Sequence, residues 1–158
     1  ASVSSALDSG EPTGTLLVID ADHFKTINDR FGHERGDEVL QMIAAAIRDS
    51  IRDGDLVGRL GGEEFGVFLK GAGFEAAGRI AERIRAAING LFVTSEGVVQ
   101  RLSVSIGGAV CAGDGGFAQL FRVADRRLYA AKHAGRNRVE LGGSIDDSDV
   151  AALVAAIG

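Results

Sequence analysis

The chain has 158 residues, 46% of them hydrophobic and 25% charged, which is typical of one globular domain with a full core. Its formal net charge of -5 argues against nucleic acid as a partner, because duplex binders carry a basic surface, and Cys111 as the single cysteine excludes an intrachain disulfide. No apolar run reaches the ~18 residues of a membrane span, and the first residues lack a signal-peptide pattern, so we expect a cytoplasmic segment without membrane contact.

Hydrophobic periodicity predicts that strands and helices alternate along the chain. In order, the predicted elements are a buried strand at 15–19, helices at 24–31 and 34–51, strands at 56–60 and 65–70, a helix at 74–91, a half-buried strand at 98–110, a helix at 117–134 with Gly135 as a left-handed cap, and a strand at 138–141. We expect an irregular lead-in at 1–14, one domain at 15–142, and a tail at 143–158 with a short helix at 150–157.

The stretch RLGGEEFGVFL at 59–69 is the most informative part of the sequence. Two apolar runs flank Gly61-Gly62, and paired glycines are typical of tight hairpin turns. The flanking strands must then be antiparallel, which predicts an α/β fold with a mixed central β-sheet flanked by helices. A plain hairpin does not need Glu63 and Glu64 at its turn. Two carboxylates beside bare backbone suit a hard cation with a phosphate against the glycines, although a solvated turn has the same pattern.

Asp20 ends the first predicted strand, and ligands of open α/β sheets collect beyond strand ends. If this strand neighbours the hairpin, Asp20, Glu63 and Glu64 offer oxygen ligands for Mg²⁺. Capping of the helix at 24–31 is the alternative role for Asp20. On an ideal strand Glu63 and Glu64 point to opposite faces, so both reach one site only if the turn twists them or two metals bind.

The segment FKTINDRFGHERGD at 24–37 indicates a nucleotide site. Free amides at the start of the helix at 24–31 can bind phosphate, and Lys25 adds a positive charge. Asn28 lies one turn further along the same face. Asp37 can accept both N–H donors of guanine's Watson–Crick edge, whereas adenine would leave the carboxylate unpaired. The alternatives are that Asp37 opposes the helix dipole and that His33 is an ordinary loop residue.

Three strings, IDADHFKTINDRFGHERGD, RLGGEEFGVFL and ADRRLYAAKHAGRNRV, resemble in content and order the signature blocks of GGDEF domains, the diguanylate cyclases. The resemblance implies a GGDEF fold akin to nucleotidyl cyclase and polymerase palm domains. It also implies that two GTP molecules are condensed into cyclic di-GMP with release of two pyrophosphates. The motif that usually precedes the first strand is absent, so we expect the lead-in at 1–14 to be truncated.

The resemblance also implies roles for the matching residues. The metal ligands, for Mg²⁺ or Mn²⁺, are Asp20, the Ala21 carbonyl and Glu63, with Glu64 as a further candidate. The catalytic residues are Glu63, as the base or base-like group toward the attacking 3′-hydroxyl, and Lys25. The phosphate-binding groups are the amides of His23 and Phe24 together with Lys25, Lys132 and Arg136, although the last two would also complement a helix dipole. The guanine and ribose set is Asn28, His33 and Asp37, and Gly62 lets the nucleotide lie close to the backbone.

The tetrapeptide Arg52-Asp53-Gly54-Asp55 has the RxxD arrangement and is separated from Gly61 by five residues. It resembles the family's inhibitory site, at which the product binds away from catalysis. Arginine suits such a site because its planar fork pairs with phosphate and guanine acceptors and stacks on bases. We expect Arg83 to contribute as well, with Arg79 as another candidate. A solvated turn is the alternative interpretation.

One domain holds one GTP, so the resemblance implies a homodimer in which two sites face each other. We also expect fusion to a sensor or receiver domain in a longer signalling protein. The alternative from another functional class is a non-catalytic GTP or cyclic di-GMP binding module. The intact Glu63–Glu64 pair argues against that alternative, because binding alone needs neither carboxylate.

Overall fold

The computed structural model of the chain describes residues 13–111 and 116–144. Within these ranges the strands are β1 Gly14–Ala21, β2 Leu56–Arg59, β3 Glu64–Lys70, β4 Phe92–Ser95, β5 Val98–Arg101, β6 Val104–Cys111 and β7 Val139–Ser144. The helices are α1 Phe24–Phe31, α2 His33–Ser50, α3 Phe74–Asn89 and α4 Phe117–His133. The predicted tail helix at 150–157 and most of the lead-in lie outside these ranges.

Five strands form one sheet in the order β2-β3-β1-β6-β7, and β4 pairs with β5 in a separate hairpin. The central strand β1 is antiparallel to both β3 and β6, whereas β6 and β7 are parallel. The predicted mixed sheet and the β2–β3 hairpin around Gly61-Gly62 are therefore confirmed.

Helices cover both faces of this sheet, and the side chains of β1 show the division. Leu17 and Ile19 join the apolar cluster that contains α1, α2 and α3, whereas Leu16 and Val18 join the cluster with α4. The α4 layer lies very close to β6, since a Cβ at Gly107 would stand 2.1 Å from the backbone nitrogen of Leu128. This close approach places the end of α4 beside the end of β1.

The single strand predicted at 98–110 is wrong. The chain forms β5 and then β6, which belong to different sheets, with Leu102 and Ser103 between them. The prediction of a half-buried strand also fails, because β6 is buried along its whole length beneath helices on both faces. Ser105 within it is 0% exposed and hydrogen-bonded.

Other element boundaries differ only slightly from the predicted ones. Helix α3 ends at Asn89 rather than Leu91, because the Gly90 amide turns back to bond the carbonyls of Ala87 and Ile88. Gly135, just beyond α4, has the predicted positive φ, at 125°. None of the helices in the described ranges is long and apolar enough to cross a membrane.

Candidate functional site at the end of β1

The end of β1 brings together carboxylates from two strands. Asp20 lies directly opposite Glu64 in the β1–β3 register and opposite Ser105 in the β1–β6 register. Even-numbered residues of β1 and β3 face the α4 layer, as Val18 and Phe68 show. Asp20 and Glu64 therefore share this face, because side chains along a strand alternate between its two sides.

The Asp20 carboxylate is buried, at 4% exposure. Oδ2 accepts a hydrogen bond from Lys132 Nζ on α4, whereas Oδ1 is buried without a partner among the described residues. An unsatisfied buried carboxylate oxygen is costly, so its presence indicates a site built to bind something. The capping alternative for Asp20 is not observed, since α1 begins after His23 without a side-chain cap.

Glu63 and Glu64 both reach the neighbourhood of Asp20, despite the opposite directions expected on an ideal strand. Glu63 lies in the turn before β3, where its carbonyl accepts a hydrogen bond from the Ala21 amide at 3.2 Å. Partial burial raises the pKa of the Glu63 carboxyl above its ordinary value, and the Asp20 carboxylate raises that pKa further. The pKa of Glu64 is also raised, first by burial and then by Asp125 and Asp20.

This group fits a divalent cation held by few protein side chains. The residues that the structure describes include no cluster of three or more aspartate, glutamate, histidine or cysteine side chains that could hold a metal ion. Hard oxygen donors are nevertheless supplied by the Asp20 Oδ1, which lacks a partner among the described residues, by the adjacent Glu63 and by the nearby backbone of Ala21. Mg²⁺ commonly takes one or two carboxylates and leaves its other positions to water and phosphate.

Replacing Glu64 by Gln should stabilise the metal-free protein at neutral pH. A raised pKa means that the folded chain binds this proton more tightly than the unfolded chain. Stability is therefore lost as the pH rises from the ordinary glutamate value of 4.5 through the folded pKa. We expect the melting temperature of Glu64→Gln in chelator at pH 8 to exceed that of the wild type.

The difference should shrink as the pH falls toward 5, where the wild-type carboxyl binds its proton. Glu75→Gln on the exposed start of α3 is the matched control, and it should show no such pH-dependent gain. An equal melting temperature for Glu64→Gln and the wild type at both pH values would contradict the like-charge repulsion.

The start of α1 follows β1 directly and carries the predicted phosphate-binding backbone. His23 precedes the helix with a φ of 56°, in the left-handed region that residues with a Cβ rarely adopt. Phe24 is buried and anchors the turn, whereas Lys25 is exposed. The first amides of this eight-residue helix therefore lie just after the Asp20–Ala21 segment.

The end of α4 and the turn after it bring two positively charged side chains, Lys132 and Arg136, toward the end of β1. Lys132 bonds Asp20, and Arg136 lies in the turn that follows the helix with a φ of 64°. The Arg136 amide donates to the Ala131 carbonyl at 3.0 Å, which folds the turn back against the helix. Lys132 is thus more than a complement to the helix dipole, since it forms an ion pair with a buried carboxylate.

The predicted base-reading residues lie where α1 and α2 meet. The Asn28 Oδ1 is buried without a hydrogen-bond partner among the described residues, and Gly36 leaves room for it, since a Cβ there would stand 1.8 Å from that oxygen. Asp37 is exposed and lines a cleft of about 350 Å³ between α2 and β2. His33 is exposed at the start of α2. The space beside Gly62 is open, since a Cβ there would meet nothing within 4 Å.

Sequence reasoning missed Asp22 and Arg59. Asp22 is 5% exposed and bonds Ser105 of β6, Ser103 just before that strand, and Asn137 in the turn after α4. The only available signal was the spacing of two aspartates in IDAD. Arg59 lines the same cleft as Asp37, donates to the Gly62 carbonyl and lies 5.7 Å over the Phe65 ring. The available signal for Arg59 was its position two residues before the glycine pair.

The RxxD residues form a separate site at the other end of β3. Asp55, with 2% side-chain exposure, accepts hydrogen bonds from Arg52 and from the Lys70 amide, and Arg52 also donates to the Lys70 carbonyl at 2.9 Å. Six residue steps along β3 at about 3.3 Å each separate this corner from Glu64 by roughly 20 Å. At this corner the Asp55 side chain is buried, whereas Arg52 keeps 49% side-chain exposure.

The two further arginine candidates on α3 differ in position. Arg83 reaches the same corner, where it donates to the carbonyl of Ser50 at the end of α2. Arg79 lines a groove between α3 and β7. Arg83 is therefore the better placed of the two to join Arg52.

A protein family and several named proteins resemble this chain in sequence. The family model described as "Diguanylate cyclase, GGDEF domain" matches residues 2–138. The chain is 41% identical over 140 residues to diguanylate cyclase DosC of Escherichia coli K12, which covers 88% of this chain and 30% of DosC. It is 43% identical over 126 residues to diguanylate cyclase DgcP of Pseudomonas aeruginosa, which covers 80% of this chain and 19% of DgcP. The chain thus spans less than a third of the length of these relatives.

Solved structures show the same fold. The GGDEF domain of DgcB from Caulobacter crescentus, in complex with c-di-GMP, superposes with a TM-score of 0.78 at 31% identity over 87% of this chain and 81% of that one. The active GGEEF domain of a diguanylate cyclase from Vibrio cholerae superposes with a TM-score of 0.77 at 34% identity over 87% of both chains. Because the family model matches residues 2–138 and solved GGDEF domains share the fold, the chain belongs to the GGDEF domain family.

Proposed function

We propose that this domain is a diguanylate cyclase, which condenses two GTP molecules into cyclic di-GMP and releases two pyrophosphates. The observation that carries the proposal is the Asp20 Oδ1, which is buried and has no partner among the described residues. Lys132 bonds the other oxygen of the same carboxylate, and Glu63 lies beside it. A non-catalytic binding module would gain nothing from three carboxylates that repel one another. Such repulsion is typical of catalytic sites.

The binding residues would hold GTP across the end of the sheet. The amides at the start of α1, with Lys25, Lys132 and Arg136, would bind the triphosphate. Asn28 and Asp37 would bind the guanine edge, with His33 toward the ribose. Because phosphoryl transfer needs mainly positioning and charge stabilisation, a site made of cations, amides and carboxylates is adequate for the chemistry.

In the reaction, the 3′-oxygen of each GTP bonds to the α-phosphorus of the other, and the bond from that phosphorus to pyrophosphate breaks. The 3′-hydroxyl proton must leave during each attack. Glu63 would accept it as the base or base-like group. Lys132 and Arg136 would offset the negative charge on the departing pyrophosphate.

Mg²⁺ or Mn²⁺ would be held by Asp20, Glu63 and the Ala21 carbonyl, with Glu64 as a further ligand. Such a cation, when bound, neutralises charge on the phosphates and lowers the pKa of a bound hydroxyl. The burial and mutual repulsion of Glu63 and Glu64 are consistent with this role, because a cation would relieve the repulsion.

The active form would be a two-fold homodimer. One site holds one GTP, and each nucleotide must meet the other's α-phosphate, so two identical domains have to face each other at this end of the sheet. The greater length of the named relatives supports fusion to a sensor or receiver domain in a cytoplasmic signalling protein.

The test is an assay of the purified domain with GTP and Mg²⁺, with chromatographic separation of the products. Cyclic di-GMP and two equivalents of pyrophosphate per product are expected, with no comparable reaction of ATP. A fused dimerisation helix should be tested in parallel, so that weak dimerisation does not conceal activity. GTP binding without turnover in the dimerised protein would instead support the binding-module alternative.

We further propose that cyclic di-GMP inhibits the enzyme through Arg52, Asp55 and Arg83. Removal of Arg52 should therefore relieve product inhibition without lowering the initial rate. The expected loss of product affinity is about 10-fold or more, because charge-assisted arginine contacts contribute roughly 1.5–3 kcal/mol each. Progress curves for Arg52→Ala should stay linear after the wild-type curve bends.

Arg122→Ala, at an exposed arginine in the first half of α4, is the control for loss of charge alone. Equal curvature in Arg52→Ala and the wild type would mean that the RxxD corner only stabilises the turn before β2.

A further inference from the structure

Asp22 is a buried carboxylate whose hydrogen bonds join three parts of the chain. Its Oδ1 accepts from the Ser105 hydroxyl at 2.7 Å. Its Oδ2 accepts from the Ser103 hydroxyl at 2.7 Å and from the Asn137 amide at 3.0 Å. The Asp22 amide in turn donates to the Ser103 carbonyl at 3.0 Å. One side chain thereby connects the end of β1, the start of β6 and the turn after α4.

These contacts leave Asp22 unsuited to bind a metal or substrate itself. Both of its oxygens already accept hydrogen bonds, in contrast to Asp20, whose Oδ1 has no partner among the described residues. Hydrogen bonds to an ionised carboxylate are stronger than neutral ones, so these three donors should hold the side chain firmly. Any effect of Asp22 on the site must therefore pass through the groups that donate hydrogen bonds to it.

The most important of those groups is the backbone amide of Asn137. Arg136 and Asn137 are consecutive residues with positive φ, at 64° and 48°. This conformation is unfavourable for Arg136, whereas asparagine tolerates it better. Such a turn persists only when its surroundings hold it. Asp22 holds the backbone of Asn137, and Arg85 of α3 donates to the Asn137 side chain at 3.0 Å. Arg136, which is exposed, has its own backbone fixed by this arrangement.

We propose that Asp22 is a positioning residue that fixes the Arg136–Asn137 turn to the end of β1, and thereby sets the place of the Arg136 guanidinium relative to Asp20. The link is direct in the chain, because Asp22 lies two residues after Asp20 and Asn137 directly follows Arg136. The kinetic part of this inference rests on the proposed function, in which Arg136 binds phosphate. The structural part, the tether itself, does not.

Three variants separate positioning from general stability. Asp22→Ala removes the acceptor of the Asn137 amide. Asp22→Asn keeps an oxygen for that amide and for Ser103, while its amide nitrogen can donate to the Ser105 hydroxyl, which also accepts. Ser103→Ala removes a donor to the same Oδ2 but leaves the Asn137 contact in place. If Asp22→Ala does not fold, Asp22→Ser takes its place, since its hydroxyl is one bond shorter.

Two readouts are needed, hydrogen–deuterium exchange over residues 134–138 and steady-state kinetics with GTP. For Asp22→Ala we expect faster exchange in this turn and a KM for GTP raised about 10-fold, with a smaller change in kcat, as is typical when a supporting residue is lost. Asp22→Asn should restore both values to within about twofold of the wild type. Ser103→Ala should lower the melting temperature but leave KM unchanged.

Unchanged exchange over 134–138 in a folded Asp22→Ala or Asp22→Ser variant would show that Asp22 does not fix this turn. That conclusion would hold whether or not the domain makes cyclic di-GMP. Faster exchange with an unchanged KM would overturn the positioning of Arg136. A parallel rise of KM in Ser103→Ala would also overturn it, since the effect would then follow stability alone. Failure of the wild type to turn over GTP would refute the proposed function, while the exchange data would still decide the tether.

Discussion

Glu63→Gln is expected to lower the rate of cyclic di-GMP synthesis by at least about 10² to 10³, which is the usual cost of losing one transition-state electrostatic contact. The amide keeps the size of the side chain but removes its charge and its ability to accept the 3′-hydroxyl proton. Glu63 lies in the turn before β3 and is only partly buried, so the fold should survive the change. Initial rates measured with GTP at saturating Mg²⁺ are the direct test.

The matched control is Glu75→Gln, because Glu75 is an exposed glutamate away from the cluster. Its rate should equal that of the wild type. Far-ultraviolet circular dichroism and melting temperatures should show that Glu63→Gln is folded. A folded Glu63→Gln variant that retains wild-type turnover would remove Glu63 from the mechanism, and attention would move to Glu64, which lies directly opposite Asp20.

The second large effect is expected on base selectivity. Asp37→Ala should lower the ratio of kcat/KM for GTP over ATP by about 10-fold to 100-fold, the value of one or two charge-assisted hydrogen bonds. Asp37 lines the cleft between α2 and β2, and Asn28 presents a buried oxygen nearby that has no partner among the described residues. A carboxylate there would bind the two guanine donors and reject adenine, which presents an acceptor at N1.

Asp49→Ala is the control, since Asp49 is also an exposed aspartate on α2 but lies near the opposite end of that helix. Asp37→Asn should show an intermediate loss, because its amide can accept from guanine at only one position. Competition between GTP and ATP for the domain gives the same ratio if turnover is slow. Unchanged selectivity in Asp37→Ala would assign base reading to other residues of the cleft.

Local sequence alone determined most of the elements and predicted several of the candidate site residues. The Gly61-Gly62 pair between two apolar runs predicted the β2–β3 hairpin, and the apolar stripe from Phe74 predicted α3. Asp20 could be placed at a strand end because the apolar run stops there. These features follow from interactions between residues close in sequence, namely turn geometry and the burial of one helix face.

Only the tertiary structure decided which residues meet. The Lys132–Asp20 ion pair joins residues 112 positions apart, and the Asn137–Asp22 hydrogen bond joins residues 115 positions apart. The division of 98–110 into β5 and β6 was likewise invisible locally, because alternation in the sequence does not tell which sheet a strand enters. Such contacts depend on strand order and on how closely α4 approaches β6. They arise when distant segments bury a shared surface, and no periodicity within a single segment encodes that choice.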